Sequence, residues 1–175
     1  MTGAGRHTPG RVIRSYYAVA GLYTLSAAMI WGVNTLFLLD AGLDIFGVFL
    51  ANGAFTAGMV VFEIPTGVLA DTRGRRVSFL LSVAILIFTT LAYVAVARSG
   101  GNLLAFVGAS VLMGLGFTFY SGAVEAWLVD ALRETGFLGR LDSVFARGAM
   151  VTGAAMLIGT VSGGLLGSVD LALPY

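Results

Sequence analysis

Five long, nearly uninterrupted apolar stretches decide what this chain can fold into. They run over about 16–39, 46–70, 77–97, 103–129 and 144–169. A helix needs about 20 mostly apolar residues to cross a bilayer. None of the five alternates as a barrel strand would, and a chain that is not a closed barrel must satisfy its backbone polar groups within helices. The breaks between them are short and charged or glycine-containing: 40–45, 71–76, 98–102 and 130–143. The first stretch is far longer than a signal-peptide core and lacks a cleavage site. The sequence therefore predicts an all-α membrane protein.

Composition supports this and excludes other classes. Of 175 residues, 58% are hydrophobic and 11% charged, against about 25% charged in a soluble domain. A soluble enzyme, a disordered chain and a nucleic-acid binder do not fit. There is no cysteine, and the lone histidine, His7, falls in the polar N-terminal tail. That argues against a metal site, a cofactor or histidine-based catalysis. All ten basic residues are arginine. Without lysine there is no Walker loop, so no ATP chemistry is expected. Energy for work would come from an ion gradient or from a solute's own gradient.

The arginines set the expected orientation. Arg6, Arg11 and Arg14 precede the first stretch, Arg73, Arg75 and Arg76 lie between the second and third, and Arg133 and Arg140 between the fourth and fifth. The opposite side carries Arg98 beside Asp40, Asp44 and Asp170. The N-terminus and the 71–76 and 130–143 loops are thus expected in the cytoplasm, in a multi-pass protein of a plasma (inner) membrane. An odd number of spans ending at Leu173-Pro174-Tyr175 reads as a fragment cut at the start of a sixth helix. The alternative is a genuine five-helix protein.

The segment Phe62-Glu-Ile-Pro-Thr-Gly-Val-Leu-Ala-Asp-Thr-Arg-Gly-Arg-Arg76 is the most informative. Gly67 lets another helix approach closely. Asp71 sits at a helix C-terminus, where the dipole disfavours an anion, so it needs cationic partners. Gly74 permits a tight turn, and Arg75 and Arg76 can pair with Asp71. This pattern resembles the signature loop of the major facilitator superfamily, with Gly67, Leu69, Ala70, Asp71, Gly74, Arg75 and Arg76 at the matching positions. It departs at Thr72, where the family usually has Arg. The resemblance implies a twelve-helix transporter of two six-helix bundles that rock about a midplane site. Residues 1–15 would be a cytoplasmic tail and 16–175 five of the six helices of the N-terminal bundle, its C-terminal half missing. It also implies a conformational latch of Asp71, Arg75 and Asp130, the last at the end of the fourth span. The plainer reading is a topology-setting cluster of solvated charges.

The fourth span, Gly114-Leu-Gly-Phe-Thr-Phe-Tyr-Ser-Gly-Ala-Val-Glu-Ala-Trp-Leu-Val-Asp130, looks like that of bacterial efflux members, although it lacks the Arg of many proton-coupled ones. Gly159-Thr-Val-Ser-Gly-Gly164 is similar to the family's antiporter motif, with Thr160 in place of Pro. Gly159, Gly163 and Gly167 are also plain small-residue helix packing. The resemblance points to efflux of small organic solutes by alternating access, of the drug/proton antiport type. Uptake of a sugar or metabolite, and a non-transporting scaffold or sensor, are the alternatives.

Ionisable and amide groups inside the spans are costly and call for a role. Glu125 and Arg147 share a depth on consecutive antiparallel spans, which predicts an intramembrane ion pair. Glu63 lacks an obvious partner; it could titrate, meet the missing half, bind a cation, or be a packing acid near Pro65. Asn34 and Asn52, also at matched depth, could bond each other or line a cavity. Tyr120 and Trp127 could line a solute path or anchor at the interface. Tyr16, Tyr17 and Tyr175 read as interfacial.

Overall fold

The structure is a computed structural model and describes residues 8–175. Arg6 and His7 of the expected tail lie outside the described residues. Six helices follow in order: α1 Pro9–Trp31, α2 Asn34–Asp40, α3 Ile45–Arg73, α4 Arg75–Arg98, α5 Leu103–Glu134 and α6 Leu141–Gly167. Four of them, α3 to α6, are each long and apolar enough to cross a membrane; α1 and α2, bent by 40° at their break, are so together, which gives five when the pair is counted as one span. The chain is an all-α, multi-pass membrane protein.

The later spans lie where the apolar stretches put them, with ends set by local chemistry. Asp44 caps α3 by accepting from the Gly47 amide at 2.8 Å, and Asn102 caps α5 through the Ala105 amide at 3.2 Å; each satisfies one of a helix's orphan donors. α5 continues to Glu134, beyond the expected 129, because Leu132 is buried there.

The first span differs more. It begins at Pro9 rather than near residue 16, so the described part of the expected tail is largely helical. Proline's fixed φ suits a first helical position, and Val12 and Tyr16 are buried. Tyr16 is thus a core residue as well as a ring near the span's end. The helix then breaks between Trp31 and Asn34. A Cβ on Gly32 would sit 3.2 Å from the Thr160 side chain, and one on Gly167 would sit 2.8 Å from Val33. The bend falls where α6 presses on span one.

Helix α5 packs against α3 and α4, while α1 packs against α6. Span two with span four, and span five with span one, are the same pairing under exchange of spans one and two for four and five. Spans one and four run in opposite directions, as do two and five, so the arrangement is an inverted repeat.

Lipid offers helices no hydrophobic drive to associate, so small residues and interhelical hydrogen bonds must hold them. Both seams are lined with small residues. On the α3–α5 seam, a Cβ on Gly58 would lie 2.6 Å from the Val111 carbonyl oxygen, and one on Gly114 2.5 Å from that of Phe55. On the α1–α6 seam, Gly159 presses on the Leu25 carbonyl and Gly163 on that of Met29. Ser78 of α4 donates to the Phe119 carbonyl at 3.0 Å, and Tyr17 of α1 to that of Val144 at 3.1 Å. Gly164 and Gly67 differ from the packing glycines: a Cβ on either meets nothing within 4 Å. Gly67 therefore admits no helix among the described residues.

At the end away from the 71–76 loop, Asn34 Nδ2 donates to Asn52 Oδ1 at 2.9 Å. Tyr175 Oη donates to Asn34 Oδ1 at 2.7 Å, and its ring lies 4.3 Å from that of Phe37. Tyr175, expected at the interface, instead ties the chain's last residues to α2 and, through the Tyr93 ring, to α4. Asn52→Ala should cost about 1 kcal/mol, read as a lower midpoint of thermal unfolding in detergent; an unchanged midpoint would mean the amide pair adds nothing.

Candidate functional site

The short turn between α3 and α4 gathers the signature-loop residues. Gly74 alone separates the helices and takes φ 95°, a left-handed conformation open to glycine. Its amide donates to the Ala70 carbonyl at 3.1 Å. The reversal puts Arg75, first residue of α4, back over the last turn of α3. Arg75 Nη1 lies 2.7 Å from Asp71 Oδ1. On its other side, Arg75 Nε lies 3.7 Å from Asp130 Oδ2 of α5.

The arginine is thus bracketed by carboxylates from two helices, and the turn is tied to the end of α5. Its side chain is 27% exposed, against 66% for Asp71 and 54% for Asp130. An anion in the last turn of α3 and a cation in the first turn of α4 both oppose their helix dipoles. Each unfavourable placement is offset by the other. The exposed pair Arg140–Asp142, at 3.9 Å, is by contrast an ordinary solvated contact.

Arg76 makes no ion pair among the described residues. With Trp127, Phe79 and Val19 it borders a 240 Å³ cavity between α1, α4 and α5. A second cavity, about 350 Å³, lies further along the same three helices and is lined by Tyr23, Trp31, Leu86 and Phe117, with Tyr175 at its edge.

A third cavity, about 360 Å³, opens between α1, α5 and α6. Its wall carries Glu125, Tyr16, Tyr120, Thr24, Ser121 and Thr152. The Tyr120 ring stacks on that of Tyr23 at 3.4 Å between centroids. A Cβ on Gly148 would come 2.8 Å from the Tyr16 ring, so this glycine makes the space in which Tyr16 lies along α6.

The expected Glu125–Arg147 pair is not formed. No ion pair joins Glu125 to any described residue, and both side chains are exposed. The reason is rotation about the α6 axis. At about 3.6 residues per turn, Arg147 lies roughly opposite the face that carries Ala149, Thr152, Gly153 and Met156 toward the cavity. Equal depth did not bring the charges together. Glu63 is exposed on α3 and likewise unpaired among the described residues. The third cavity's arrangement could not be read from the sequence, apart from the unexplained acid in span four.

No family model matches the chain, and no solved structure does. Over 160 residues, covering 91% of its length, the chain is 21% identical to the uncharacterized MFS-type transporter YxaM of Bacillus subtilis (strain 168). It spans 38% of that relative's length. The chain is therefore a multi-pass helical membrane protein similar, across nearly all its length, to part of a major-facilitator-type transporter.

Proposed function

We propose that this chain forms most of one helical bundle of a secondary transporter that exports small organic solutes by alternating access. The bracketing of Arg75 by Asp71 and Asp130 carries this reading. It joins a helix turn to a neighbouring helix end through charge contacts that a change in tilt would break. Such contacts favour one conformation by the difference in interaction energy between two states. The distant likeness to an MFS-type transporter supports the same class.

In this reading the arginine-rich turn faces the cytoplasm of a cell with a plasma-type membrane. The cavity between α1, α4 and α5 receives a sixth span, and a second bundle supplies the far wall of the solute path. The cavity between α1, α5 and α6 belongs to that path, since an intramembrane carboxylate must face water or protein rather than lipid. Asn34 and Asn52 then serve the outer end as a bonded pair rather than as solute ligands.

Proteoliposomes containing the full-length protein test the class. Counterflow of a labelled solute above that of empty vesicles is expected; its absence for every solute class tried would leave a scaffold or sensor. The direction of accumulation under an imposed proton gradient separates export from uptake. Glu63 is the proton-site candidate, so Glu63→Gln should flatten the pH dependence of the flux. An unaltered pH profile would remove Glu63 from that role.

A further inference from the structure

We infer that Glu125, with Tyr16 and Tyr120, forms a subsite for the cationic group of the transported solute. This rests on the transporter reading and names the solute's charge. A carboxylate within a span is expensive unless something meets it. The partner that depth suggested, Arg147, is turned to the opposite side of α6. No other described cation pairs with Glu125. The acid instead borders a cavity of about 360 Å³, within the size range of small-ligand pockets.

The rest of the wall suits an organic cation rather than a bare metal ion. Among the described residues there is no cluster of three or more metal-ligating side chains. Two tyrosines, Tyr16 from α1 and Tyr120 from α5, line the same cavity as the acid, and aromatic rings attract cations through their quadrupole. The Ser121 and Thr152 hydroxyls are engaged with their own helix backbones, at 3.3 Å to Thr118 and 3.1 Å to Ala149. The Thr24 and tyrosine hydroxyls remain as neutral polar groups, and the carboxylate is the one charged group among the lining residues. A largely apolar wall with one anion and two aromatic rings recognises an ammonium or phosphonium centre bearing hydrocarbon substituents.

The test uses full-length protein purified in detergent, titrated with tetraphenylphosphonium and, in parallel, with uncharged triphenylphosphine oxide. Glu125→Gln should weaken tetraphenylphosphonium binding more than about tenfold and leave the uncharged compound unaffected. Glu125→Asp should hold affinity within about threefold, as should Glu134→Gln at the exposed end of α5. An unchanged elution volume on gel filtration shows that each variant is folded. The inference is overturned if wild type shows no saturable cation binding, if Glu125→Gln binds the cation as wild type does, or if both compounds lose affinity together. Cation binding that depends on Glu125 without solute counterflow would strike the transporter reading and leave the subsite. Counterflow without such binding would strike the subsite alone.

Discussion

Replacing Arg75 by glutamine is expected to lower solute counterflow by about tenfold or more while the protein still inserts and accumulates normally. The substitution leaves Asp71 and Asp130, both now within reach of one guanidinium, without the cation they share. The conformation they clasp loses its favourable contacts and gains like-charge repulsion. A shift of about 1.4 kcal/mol between two states changes their ratio tenfold. Asp71→Asn should act in the same direction, because it removes the shorter of the two contacts. Initial rates in proteoliposomes, normalised to inserted protein, measure both. Wild-type rates in both variants would reduce the cluster to a determinant of topology.

The second large effect concerns stability. Gly114→Val should destabilise the bundle by about 1–3 kcal/mol or more, since even a Cβ at this position would lie 2.5 Å from a backbone oxygen of α3. A backbone atom cannot rotate aside as a side-chain tip can, so the helices must separate. Gly159→Val should do the same to the α1–α6 seam, with its Cβ 2.5 Å from the Leu25 carbonyl oxygen. Gly164→Val is the internal comparison: nothing stands within 4 Å of its Cβ, and its effect should stay within about 0.5 kcal/mol. Thermal unfolding in detergent ranks the three. A Gly164 variant as unstable as the other two would show that the loss reflects valine in a helix rather than the seams.

Hydropathy made the spans legible because each is a local property of some twenty consecutive residues. The bend in span one was not legible, because it arises where Gly32 and Val33 meet Thr160 and Gly167, more than a hundred positions away in sequence. The early start of α1 had a local signal in Pro9, but the polar residues that follow hid it. Within the 71–76 turn, Gly74 and the neighbouring opposite charges announced a tight, paired reversal, and the structure places Arg75 between Asp71 and Asp130. Glu125 and Arg147 show the limit. Their shared depth follows from counting residues, but the direction each side chain faces depends on how its helix is rotated. Here that rotation is fixed by glycines on another face of α6.

The pairing of span one with span five also bears on how the chain is made. Spans two, three and four leave the ribosome in succession and can assemble on one another as they enter the bilayer. Span one, first to be synthesised, must wait until α6 has been translated before its glycine seam can close. During that interval Tyr23 can already stack on Tyr120 of α5, but Tyr17, whose hydroxyl donates to the Val144 carbonyl of α6, and the glycine-seam face of span one have no helical mate. A chaperone or insertase cavity that shelters an unpaired helix would therefore matter most for the earliest segment of this protein.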